Sequence, residues 1–125
     1  MITEDYVSFE VAKLLKEKGF DEKCRSYYFG SSGRHSRCAL EIKTNDFRDG
    51  EILRPTLQMA CKWLREIYDL HIIAYPYKAN DKKKWCCYVY KTFNLLGCEQ
   101  YIDETLDSYE EAVEAALKYV LENLV

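Results

Sequence analysis

Two runs rich in aromatic and β-branched residues, His71 to Tyr77 and Trp85 to Phe93, stand seven residues apart, and no other feature narrows the fold as far. A link that short joins antiparallel neighbours, because a parallel return needs a crossover of about a dozen residues or more. It reads Lys78-Ala79-Asn80-Asp81-Lys82-Lys83-Lys84, a hydrophilic stretch with Asn-Asp, two residues that accept turn backbone, at its centre. Pro76 has no N–H to give a ladder, so the first of these strands is expected to end or to lie at a sheet edge near that point. An earlier pair repeats the pattern. Cys24 to Phe29 is aromatic and β-prone, Leu40 and Ile42 alternate with Glu41 and Lys43 in the run from Cys38, and the flexible, locally basic Gly30 to Ser36 connects the two. Leu95 to Ile102 is expected to add a strand to the later hairpin.

Three helical patterns flank and separate these hairpins. Ser8 precedes an apolar arc of Phe9, Val11, Ala12, Leu14 and Leu15 that stops at Gly19 and Phe20, the pattern of a capped helix with a left-handed glycine stop. Asn45 to Gly50 reads as a turn, after which Pro55-Thr56 opens a second helix. Its stripe is Leu57, Ala60, Cys61, Leu64, Ile67 and Tyr68, widened on one flank by Met59 and Trp63. In the third helix Ser108 and Glu111 form a capping box, and Tyr109, Ala112, Val113, Ala116, Leu117, Val120 and Leu124 recur at helical spacing. This order predicts an α+β fold, α-ββ-α-ββ(β)-α, in which antiparallel sheet from two hairpins packs with three helices. With 125 residues, 48% of them hydrophobic, the chain 1–125 is expected to be a single globular domain that folds without metal or disulfide staples.

The runs Val7 to Phe20, Pro55 to Glu66 and Ser108 to Leu124 cover the three helices. In these runs the chain resembles a group of small proteins from gut Bacteroides genomes and their prophage-like or mobile elements. The resemblance implies a cytoplasmic bacterial accessory protein. It brings no activity with it and so assigns no functional residue.

The formal net charge of -3 repels phosphate backbones and anionic lipid from the molecule as a whole, so a nucleic-acid role would need a local patch. Met1 to Asp5 carries acids where a secretory signal carries basic residues, and no apolar run approaches the roughly 18 residues of a membrane span. A cytoplasmic location and no membrane partner are the expectation. In that compartment the six cysteines, Cys24, Cys38, Cys61, Cys86, Cys87 and Cys98, are expected to stay reduced and to serve as small buried hydrophobes. They form no C-x-x-C, and His35-Ser36-Arg37-Cys38 has no second Cys/His pair to complete a zinc site. Neither a metal nor a cofactor is expected.

The chemistry-bearing candidates lie around the second hairpin. Tyr75 and Tyr77 share one face of their strand by period two, and so do Tyr88 and Tyr90 of theirs. A compatible register gathers all four rings on one surface, with Trp85, Cys87 and Val89 pointing the other way into a core beneath helices, while a shift by one residue splits the cluster. Tyrosine supplies contact area at modest entropy cost. These four residues are therefore the candidate site for a protein partner or a second copy of the chain. Lys78, Lys82, Lys83, Lys84 and Lys91 interleave with the aromatics and supply the alternative, a nucleic-acid-binding accessory domain. A sheet followed by a helix starting Ser-Tyr-Glu-Glu-Ala also resembles, in outline, small DNA-binding domains of integrase type. An enzyme stands third, with no catalytic residues assigned. His35 and His71 lack a nucleophile and an orienting acid at motif spacing, and Gly30 to Ser36 lacks the G-x-x-x-x-G-K-[ST] spacing of a phosphate cradle.

Overall fold

The computed structural model describes residues 2–42, 50–92 and 100–125, with backbone alone for 38–42 and 100–105. They form two compact units, Met1–Thr56 and Leu57–Val125. The class is the α+β antiparallel one that the hairpin spacing predicts, with a strand more than expected in the first unit.

In the first unit α1 (Phe9–Glu17) precedes β1 (Cys24–Phe29), β2 (His35–Ile42) and β3 (Glu51–Leu53). The strands pair antiparallel in the order β2-β1-β3. The ends of α1 follow from its local chemistry. The Val11 N–H donates to the Ser8 hydroxyl at 3.2 Å. At the other end Gly19 takes φ +91°, while its N–H donates to Lys16 and that of Phe20 to Leu15, the paired bonds of a Schellman stop. Val11, Ala12 and Leu15 of α1 are buried, as are Phe20, Cys24, Tyr28 and Ile52.

The link in the first hairpin is shorter than Gly30 to Ser36, because His35 and Ser36 belong to β2. Phe29 and Arg34 close the turn, and Gly33 holds φ +72°. A side chain on Gly30 would meet the Gly50 carbonyl oxygen at 2.3 Å. The amides of Gly30 and Gly33 donate to Gly50 and Phe29, so this loop spends on its own backbone the N–H groups a phosphate cradle needs. Strand β3 is a strand the pattern did not predict. Lys43 to Asp49, which holds most of the turn read at Asn45 to Gly50, lies outside the described residues.

In the second unit α2 (Leu57–Tyr68), β4 (Leu70–Ala79), β5 (Lys82–Lys91), β6 (Gln100–Leu106) and α3 (Tyr109–Asn123) follow in turn, and the sheet order is β4-β5-β6. β4 is an edge strand, as Pro76 requires, and it runs through the proline to Ala79. The seven-residue link is therefore two long strands and a two-residue turn. Asn80 and Asp81 take φ +50° and +63°, the left-handed pair of a type I′ hairpin. The third strand begins at Gln100, and 93–99, with Phe93 and most of the Leu95 to Ile102 reading, lies outside the described residues.

Both helices pack on the face of this sheet that bears Cys87 and Val89. The Cys87 thiol donates to the Ala112 carbonyl at 3.0 Å, and Trp85 meets Tyr109 edge to face, centroids 5.6 Å apart. The capping box forms with one change. The Glu111 N–H donates to the Ser108 hydroxyl, but the Glu111 carboxylate accepts from the Asp107 N–H. Ala112, Val113, Ala116, Leu117 and Val120 are buried, and Leu121 joins them beyond the predicted stripe. In α2 Trp63 is buried with the core, as the widened apolar arc allows, whereas Ile67 of the predicted stripe is 58% exposed. Ile67 sits in the last turn, where burial depends on what the neighbouring elements reach and not on the stripe itself.

Candidate functional site

Ten consecutive residues of β4 pair with ten of β5, and this register decides the site. His71 lies opposite Tyr90, Ile73 opposite Tyr88, Tyr75 opposite Cys86 and Tyr77 opposite Lys84. Directly opposed residues of an antiparallel pair share a face, so Tyr75, Tyr77, Tyr88 and Tyr90 all stand on the face away from α2 and α3. Tyr75 and Tyr88 stack with centroids 5.4 Å apart and planes at 15°, and His71 and Tyr90 stack at 5.4 Å and 20°. Ile73, between the two stacks, is 44% exposed. The four tyrosines are half-buried. Side-chain hydrogen bonds with Cys86 and then with Tyr88 raise the Tyr75 phenol well above its ordinary pKa, so the Tyr75 hydroxyl keeps its proton across the physiological range.

The lysines do not share that arrangement. Lys82 and Lys84 fall on the tyrosine face, whereas Lys78, Lys83 and Lys91 alternate to the other side. Lys84 is ion-paired to Asp107; that hydrogen bond raises the ammonium and lowers the carboxyl pKa. Lys78 lies 3.4 Å from Asp81, and Lys83 sits over the Trp85 ring at 5.1 Å. Three of the five lysines thus sit in separate local pairs, and the five divide between the two faces of the hairpin.

One group escaped the sequence reading. His71 Nε2 lies 2.9 Å from the Asp69 carboxylate and 2.8 Å from the Thr92 hydroxyl. Asp69, at φ +53°, is the single residue between α2 and β4, and that turn brings its side chain back to the start of the strand. An Asp-x-His at a helix–strand junction was the available signal. An acid, histidine and hydroxyl in contact resemble a proton relay, but a relay engages the two ring nitrogens separately. Here both partners meet Nε2. The arrangement anchors the ring on which Tyr90 stacks.

Cys86 and Cys87 point to opposite faces, as adjacent strand residues must. Burial pushes the Cys87 thiol up to about 12 and the Cys61 thiol to about 11. Cys24, Cys61, Cys86 and Cys87 are buried and in no disulfide, while the Cys38 side chain and Cys98 lie outside the described residues. In native protein at pH 8 Cys61 and Cys87 are expected to resist iodoacetamide, because little thiolate is present. Six thiols should react after denaturation without reductant. Rapid native labelling of either residue, or a count below six, would refute the assignment. Among the described residues no three His, Cys, Asp or Glu side chains converge as a metal would need, and no helix is long and apolar enough to cross a membrane.

Compared with protein-family models, curated proteins and solved structures, the chain matches none.

Proposed function

We propose that this chain is a non-enzymatic protein-binding module, an adaptor of a bacterial accessory or mobile element, that docks its partner on the tyrosine face of β4 and β5. The register of β4 against β5 carries the reading, because it places four tyrosines, His71 and the exposed Ile73 on one surface. Stacked aromatics around an exposed aliphatic side chain have the composition of an interface centre, which is depleted in charge and rich in tyrosine. Lys82 and the neutralised Lys84 supply a polar margin. Pro76 on the edge strand breaks the run of backbone donors that an added strand would use, which favours the face over the edge as the docking surface. A face with so little charge is also compatible with a second copy of itself across a two-fold axis.

The double variant Tyr88→Ser with Tyr90→Ser tests this. Far-ultraviolet circular dichroism and the melting transition should stay close to wild type, while self-association in sedimentation equilibrium, or retention of a partner co-purified from the native host, weakens by about thirtyfold or more. A variant that unfolds with no loss of association would place these rings in the core and sink the reading. Micromolar binding to mixed-sequence DNA or RNA at physiological salt, lost when Lys82, Lys83 and Lys84 become Ala, would replace it with the nucleic-acid alternative.

A further inference from the structure

A second constellation lies in the first unit. Ser26 pairs with Arg37 across β1 and β2, and the Arg54 N–H donates to the Ser26 carbonyl on the other side of β1. Arg37, Ser26 and Arg54 therefore form a row across three adjacent chain segments. Ser26 is only 1% exposed, and its hydroxyl accepts from Arg54 Nη1 at 3.1 Å while donating to the Ser36 carbonyl at 3.0 Å. Tyr6, held by its bridge to Thr56, covers the row. The Arg54 guanidinium lies 4.1 Å from the Tyr6 ring centroid and 5.4 Å from that of Tyr28, and Arg37 Nη2 donates to the Tyr6 hydroxyl at 3.2 Å.

Among the described residues nothing compensates the charge in this row. Two guanidiniums meet on one tyrosine, and among the described residues neither has a carboxylate within ion-pair distance. Arg54 is half-buried, and its Nε is buried with no hydrogen-bond partner. A buried donor left unmade is costly, and a buried charge ordinarily finds its counter-charge. Because the Tyr6 oxygen accepts from Arg37, its own proton is directed elsewhere. With Arg54 Nη1 held by Ser26 and Arg37 Nη2 by Tyr6, the row presents the remaining terminal N–H groups of two guanidiniums and one hydroxyl donor, with a net charge of two, to a group that would supply oxygens.

We propose that Arg37, Arg54 and Tyr6 form a binding site for a dianionic phosphate, the terminal group of a phosphomonoester or inorganic phosphate itself. Arginine forks match phosphate oxygens in pairs, and a phosphomonoester carries about -1.5 to -2 at neutral pH with three acceptor oxygens. A carboxylate or a phosphodiester brings one charge and leaves one guanidinium uncompensated.

The test is a thermal-shift and calorimetric titration of the whole chain with sodium phosphate at constant ionic strength. A saturable rise in melting temperature is expected with phosphate and with phosphoserine, and sulfate, also a tetrahedral dianion, should reproduce it. Acetate and dimethyl phosphate should not. Arg37→Gln changes an exposed side chain and should keep the fold while weakening phosphate by about tenfold or more; Tyr6→Phe, which removes only the hydroxyl, should weaken it less. Arg54→Lys keeps the charge but loses the fork and the stacking, and should also weaken binding. A saturable rise with neither phosphate nor phosphoserine, an equal rise with acetate, or undiminished binding in Arg37→Gln would each overturn the site. Binding by phosphoserine but not by inorganic phosphate would assign it to esters alone.

Discussion

Leu117→Ala is expected to lower the free energy of unfolding by about 2–5 kcal/mol, seen as a lower denaturant midpoint with an unchanged slope. Leu117 has no exposed surface, and Val113, Ala116, Val120 and Leu121 of the same helix are buried with it. α3 packs on β4, β5, β6 and α2, so it has neighbours on several sides and the space left by a truncated leucine cannot be closed by the shift of one of them. The capped start of the helix supports this view. With Ser108 and Glu111 fixing its first turn, the helix cannot slide along its axis to refill the hole without breaking the cap. A loss under half a kilocalorie per mole would mean that α3 is peripheral, and the assignment of the second unit's core to its helix face would then be wrong.

The parts of this fold that were legible in the sequence are those whose cause is local. Ser8 and Gly19 delimit α1 through bonds to their own neighbours, and Ser108 does the same for α3. Pro76 marks an edge because of a donor it lacks. What sequence alone did not give depends on partners distant along the chain. Strand β3 is three residues long and exists because β1 offers it a ladder; no periodicity develops over so short a run. The polar residues from Lys78 to Lys84 look like a loop, yet most of them are strand, since a tip with solvent on both faces has no apolar member to alternate with. The tyrosine cluster was legible as a condition: the four rings gather if odd-numbered residues of β4 face even-numbered residues of β5, and the pairing of Ile73 with Tyr88 meets it. The arginine row gave no signal at all. Tyr6, Ser26, Arg37 and Arg54 lie on four separate segments, and only the pairing of β1 with its neighbours and the bridge of Tyr6 to Thr56 bring them together.

Eleven tyrosines in a chain of 125 residues cannot all play one part, and Tyr28 is the counter-example to the half-buried four. Its ring is 6% exposed and meets Phe9 edge to face at 5.4 Å, His35 at 6.2 Å and the Arg54 guanidinium at 5.4 Å. Its hydroxyl donates to the Val7 carbonyl, and the Val7 N–H donates to Pro55. Tyr28 therefore ties the segment before α1 to β1. Truncating a buried aromatic removes its transfer free energy and leaves a cavity, so Tyr28→Ala is expected to cost about 3–5 kcal/mol. Tyr28→Phe keeps the ring and strands the carbonyl of Val7, a residue with no exposed surface; about 1–3 kcal/mol is the expected loss. The two variants separate packing from hydrogen bonding. If the Phe variant is as stable as wild type, the bond to Val7 contributes nothing and water replaces it. If the Ala variant loses less than 1 kcal/mol, the ring is not a core element. Because the contact to Arg54 is made by the ring, Tyr28→Phe should leave phosphate binding unchanged, which sets this structural tyrosine apart from Tyr6, whose hydroxyl the anion would need.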